Sequence, residues 1–144
     1  MSGAFMRNRL NENFLDCYLA VDKACSDKFG VGSGGVTEYI NRLNNARFAP
    51  NRDEVLPRLV KYRNIRNKFA HEVGSMRKCD DLAKEDVKWL RKFSKDLTKR
   101  RDPLSVYLRR ARRYARRRRA RKAIFFAMLI LLIIAAVVLY FVLR

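Results

Sequence analysis

Val55 to Val73 reads VLPRLVKYRNIRNKFAHEV, and its periodicity decides the fold. At about 100° per residue, Val55, Leu59, Tyr62, Ile65, Phe69 and Val73 gather in one apolar sector, the face of an amphipathic helix that a bundle buries. Arg66 falls in the same sector. An unpaired charge there is costly, so Arg66 must be paired, snorkel, or face a cleft. Asn64, Asn67 and His71 lie on a neighbouring sector, with Asn67 and His71 one turn apart. Arg66 stands about 140° round the helix from His71. The two converge only if the long Arg side chain wraps or a second subunit supplies its partner, so a homodimer belongs to the expectation.

The same helical period recurs on both sides of this stretch, and no strand-like alternation is sustained. That predicts an all-α chain, with a small bundle of about four helices over residues 1–101. The first helix runs from Arg9 to Lys28, with Phe14, Leu15, Tyr18, Leu19, Asp22 and Cys25 turned inward and Gly30 ending it. Gly30-Val31-Gly32-Ser33-Gly34-Gly35 reads as an inter-helix turn, since no Gly-Lys-Ser/Thr follows and no strand precedes it. Thr37 caps a short helix to Arg47. Pro50-Asn51 opens the quoted helix, whose first turn tolerates Pro57 and which ends near Val73-Gly74. A fourth helix runs from Ala83 through Trp89, Leu90, Phe93 and Leu97 to Arg101. There Asp102-Pro103 interrupts it and reads as a hinge.

Beyond the hinge the chain divides into a basic juxtamembrane helix, 102–122, and an apolar helix, 123–143. Ala123 to Leu143, AIFFAMLILLIIAAVVLYFVL, has twenty-one residues without a charge, a Gly or a Pro. As a helix it is roughly 31 Å long, the thickness of a bilayer's hydrocarbon core, which predicts a single transmembrane helix. The N-terminus MSGAFMRNRLNENF carries no apolar run that would direct secretion, and the basic spacer before 123 does not suit a C-terminal lipid-anchor signal.

Arg109, Arg110, Arg112, Arg113, Arg116, Arg117, Arg118, Arg119, Arg121 and Lys122 supply ten basic residues with no acid among them, and only Arg144 lies on the far side of the apolar run. The positive-inside pattern then predicts a tail-anchored, single-pass protein with its N-terminal domain cytoplasmic and its C-terminus just across the bilayer. The ten cations also suit anionic lipid head groups, at about 1 kcal/mol per basic residue near the surface. RNA is the rival partner for them, with Tyr107 and Tyr114 too few to make a stacking platform. The net charge of +19 divides into +8 over residues 1–108 and +11 over 109–144, so the extreme basicity belongs to the C-terminal flank and says little about nucleic acid.

Cys17, Cys25 and Cys79 form no CxxC pair, and the single His is far from them in metal-ligand spacing. Reduced thiols and no metal are expected.

At Arg66-Asn67-Lys68-Phe69-Ala70-His71 the chain resembles the HEPN superfamily, helical bundles whose signature is Arg, a polar residue, a few variable positions, then His. The resemblance covers about residues 7–100. It implies metal-independent RNA cleavage in a dimer cleft without a cofactor, with His71 as general acid/base, Arg66 as electrostatic stabiliser and Asn67 as positioning group. The residue types suit that chemistry: an imidazole titrates near neutral pH and a guanidinium holds phosphate charge bidentately. Family members regulated as toxins by a nucleotidyltransferase carry Tyr two residues after the His, where this chain has Val73. Many relatives keep the fold as RNA-binding or dimerisation modules without activity.

Three function classes follow. One is a membrane-tethered ribonuclease of a defence or stress system, and another a non-catalytic membrane adaptor binding RNA, protein or anionic lipid. The third is a lipid-surface sensor driven by the arginines.

Overall fold

A computed structural model describes residues 2–143, the side chains of residues 2–5, 137, 138, 141 and 142 excepted. Among the described residues every regular element is a helix, and there are six: α1 (Ser2–Phe29), α2 (Gly35–Asn45), α3 (Arg52–His71), α4 (Ser75–Lys78), α5 (Lys84–Thr98) and α6 (Pro103–Leu143). The all-α expectation is met. The chain divides into two compact units, Met1–Tyr107 and Leu108–Arg144, so the first five helices and the opening turn of α6 make the bundle.

The helix α1 buries Asn11, Phe14, Tyr18, Val21 and Cys25, the three-and-four spacing of a single stripe. This corrects the expected inner face. Leu19 is 47% exposed and Val21, overlooked in the sequence, is fully buried. The stripe is rotated because α2 and α5 both pack on α1.

Gly35 sets the approach of α2. A Cβ there would lie 2.3 Å from the Asp22 carbonyl oxygen and 2.3 Å from the Ser26 nitrogen, both backbone atoms of α1. The two helices touch main chain to main chain, which only glycine permits. Gly34, at φ 70, precedes it as N-cap. The capping acceptor comes from the neighbouring helix: the Val36 N–H donates to Asp22 Oδ1 at 2.8 Å. Thr37, expected as the cap, lies exposed inside the helix. Gly35→Ala is expected to cost about 2–3 kcal/mol, the range for overpacking a tight site. A melting temperature within a degree of wild type would refute that close approach.

Val55, Leu59, Tyr62 and Ile65 of α3 are buried and Phe69 is partly so, as the periodicity requires. Val73 is not. It lies past the end of α3, which stops at His71, and it is fully exposed. Pro57 sits in the second turn of α3, not its first, so one helical N–H is missing there. The turn Ser75–Lys78 was not foreseen.

Val87, Leu90, Phe93 and Leu97 form the inner face of α5. Its first turn is tied by Asp86, whose Oδ2 accepts the Ala83 N–H at 2.8 Å and whose Oδ1 accepts the Tyr62 hydroxyl at 2.7 Å. Through the core runs a continuous series of rings. Phe69, Phe14, Tyr62, Trp89, Phe93, Tyr39 and Phe29 follow one another at centroid separations between 5.0 and 6.2 Å, drawn from α1, α2, α3 and α5. Each such pair contributes about 0.5–1.5 kcal/mol beyond its area.

The buried hydroxyls and thiol make the bundle sensitive to alkali. Burial pushes the Cys25 thiol up from 9.0 to about 12 and the Tyr18 hydroxyl up from 10.0 to about 12. Burial also raises Tyr39 and Tyr62, with Asp102 and Asp86 respectively adding to the effect. Below pH 9.0 both folded and unfolded chains hold these protons, and their burial stabilises in full. Between there and about 12 the unfolded chain ionises while the folded one does not, so stability falls as pH rises. The slope is up to about 1.4 kcal/mol per pH unit for each linked group. Thermal melts are expected to drop steadily above pH 9.0; a flat melting temperature across that window would contradict the burial of these groups.

Among the described residues no helix is long and apolar enough to cross a membrane. The side chains of 123–136 are described and exposed. Val137, Val138, Phe141 and Val142, which the expected span also needs, fall outside the described side chains. This overturns the transmembrane reading of 123–143, and with it the tail anchor, the single-pass topology and the cytoplasmic placement of the N-terminal domain.

Candidate functional site

The basic segment is held by its first turn. Asp102 caps α6, its Oδ2 accepting the Ser105 N–H at 3.1 Å, and Pro103 takes the first helical position, where its missing N–H costs nothing. The Asp102 carboxylate is fully buried. Lys28 Nζ donates to both of its oxygens at 2.9 and 2.8 Å, and the Tyr39 hydroxyl donates to Oδ2 at 3.0 Å. Lys28 also donates to Ser105 Oγ at 2.8 Å, and the Leu104 N–H reaches the Tyr39 oxygen at 3.4 Å. One carboxylate thereby joins α1, α2 and the start of α6. Leu104 is buried beside it and Tyr107 packs on the core. The hinge expected at Pro103 is thus a fastening, and the bundle runs on to Tyr107.

From Leu108 onward every described side chain of α6 is exposed. The ten cations from Arg109 to Lys122 stand on one unbroken helix with no carboxylate among them. Eight of them, Arg109, Arg110, Arg112, Arg113, Arg116, Arg117, Arg119 and Arg121, cover an arc of about 200° at 100° per residue. Leu108, Ala111, Tyr114 and Ala115 share the remainder with Arg118 and Lys122. Large apolar side chains follow at once, Ile124, Phe125, Phe126 and Met128 each being 59% exposed or more. Such a run of exposed apolar surface marks an interaction site.

Arg66, Asn67 and His71 do not assemble. Arg66 is half-buried and its charge acts on Tyr18, while its Nη1 donates to Asn67 Oδ1 at 3.3 Å. Asn67 and His71 are exposed, and His71 is the last residue of α3. Of the clefts beside α3, one is lined by Pro57, Lys61, Asn64, Lys68 and Asp81, another by Phe69, Glu72, Val73 and Cys79, and a third reaches Glu54 and Val55; Arg66, Asn67 and His71 line none of these. Asp22, a conceivable partner for Arg66, is engaged with Val36. Among the described residues no group of His, Cys, Asp and Glu is placed to hold a metal ion.

Residues 12–123 match the Family of unknown function (DUF6548). The chain belongs to that family. The DUF6548 match takes in the bundle from residue 12 onward and the entire arginine run, and it stops at the first residue of the apolar segment. No curated protein and no solved structure is similar to the chain. Neither this family nor the geometry of α3 speaks for RNA cleavage, and the ribonuclease reading of Arg66, Asn67 and His71 is corrected accordingly.

The Lys28–Asp102–Tyr39 cluster went unread in the sequence. Its one sequence signal is Asp before Pro at the start of a helix, which serves equally as a break and as a cap followed by a first-turn proline.

Proposed function

We propose that this DUF6548 chain is a non-enzymatic helical module that docks on anionic lipid head groups through the arginine segment of α6. The observation that carries the reading is the ten-cation run, 109–122, exposed along a continuous helix without an acid. Anionic head groups attract such a segment with about 1 kcal/mol per basic residue. The apolar side chains exposed directly after the arginines, Ile124, Phe125, Phe126 and Met128, favour a lipid surface over RNA. The scarcity of aromatic side chains between the arginines supports the same choice.

The HEPN resemblance of residues 7–100 stands beside this as a proposal about the kinship of the bundle alone, with no cleavage assigned. An all-α fold supports it.

Sedimentation of the full chain with phosphatidylglycerol/phosphatidylcholine vesicles over a series of salt concentrations tests the docking. Binding is expected to weaken steeply as salt screens the surface potential. Equal binding to pure phosphatidylcholine, or indifference to salt, would refute it.

A further inference from the structure

The composition of the arginine run is more selective than its charge. Nine of the ten cations between 109 and 122 are Arg, whereas residues 1–108 contain twelve Arg and ten Lys. A surface that needed only positive potential would be served as well by Lys. The guanidinium differs in being planar, weakly hydrated and able to offer two parallel N–H groups to one phosphate, where an ammonium acts as a point charge.

Spacing adds to this. Arg109, Arg113, Arg117 and Arg121 follow at intervals of four, and Arg112, Arg116 and Arg119 run beside them at intervals of four and three. Side chains so spaced are neighbours about one helical turn apart, roughly 5–6 Å between Cβ atoms. Two guanidinium groups can then close on one phosphate. Like charges at that spacing also repel, weakening the helix by about 0.2–0.5 kcal/mol per pair until an anion lies between them.

We propose that this ladder grips the phosphodiester of an anionic lipid directly, each phosphate held between arginines one turn apart, and that lipid binding consolidates the helix. The proposal rests on the docking reading above and deepens it from attraction by charge to recognition of the phosphate. Since Arg and Lys have similar helix propensities, exchanging them leaves both the fold and the net charge in place.

The test replaces all nine arginines between 109 and 121 by Lys in the full chain and measures binding to phosphatidylglycerol-containing vesicles, with helicity followed by circular dichroism. The lysine variant is expected to bind about tenfold or more weakly at equal charge, as lost bidentate contacts dictate, and to gain less helicity on vesicles. Binding within about twofold of wild type would overturn the ladder and leave the docking intact. Failure of the wild type itself to bind these vesicles would overturn both. Tighter binding of wild type to single-stranded RNA than to vesicles at the same salt would move the ladder's phosphate to nucleic acid and sink the lipid assignment.

Discussion

Replacing Asp102 by Ala is expected to destabilise the bundle by about 3–5 kcal/mol, the cost of removing one partner from a buried ion pair. The carboxylate is fully buried and holds the Lys28 ammonium, the Tyr39 hydroxyl and the Ser105 N–H, so its loss strands a charge and two donors together. Lys28 keeps 22% side-chain exposure and can turn partly to water, which places the effect toward the lower end of that range. Urea unfolding of the variant against wild type reads it. The double variant Lys28→Met, Asp102→Leu is expected to recover only the part of the loss that comes from the stranded ammonium, since the Tyr39 hydroxyl and the Ser105 N–H still lack their acceptor. A loss below about 1 kcal/mol for Asp102→Ala would mean that the start of α6 is not fastened where the geometry places it.

Exchanging Arg112, Arg113, Arg116 and Arg117 for Gln is expected to weaken binding to anionic vesicles by about a thousandfold. Each residue supplies about 1 kcal/mol near the surface, and about 4 kcal/mol corresponds to three decades in affinity. The four side chains are exposed and lie outside the unit that ends at Tyr107, so the melting temperature of the bundle should not move. Vesicle sedimentation and a thermal melt on the same samples separate the two properties. If affinity falls by less than tenfold, the arginines do not carry the docking.

The periodicity of Val55, Leu59, Tyr62 and Ile65 was enough to place α3, because a helix that buries one face repeats it every three to four residues. What the pattern could not supply was where helices meet. The rotation of α1 that buries Val21 and exposes Leu19 depends on which neighbours pack there, and the contact of Gly35 with the backbone of α1 has no local signature. Asp102 was read as a break because a sequence shows the proline and not Lys28 and Tyr39, which lie 74 and 63 residues away. The basic run was legible in full, since charge density needs no tertiary structure to be counted. The Arg66, Asn67 and His71 constellation was read from one helix alone. Asn67 and His71 share a sector that Arg66 does not, and the two clefts beside the C-terminal half of α3 are lined by other residues. At 123–143 hydropathy predicts a crossing that no helix among the described residues is long and apolar enough to make.

Hydrogen exchange of the full chain, with and without phosphatidylglycerol-containing vesicles, tests the central claim most directly because it reports which segment meets the lipid. The arginine segment, residues 108–122, is exposed and self-repelling, so its amides should exchange readily in solution and slow markedly on vesicles, while those of α3 stay unchanged. Protection that appeared along Arg63, Arg66 and His71 of α3 and left 108–122 untouched would contradict it.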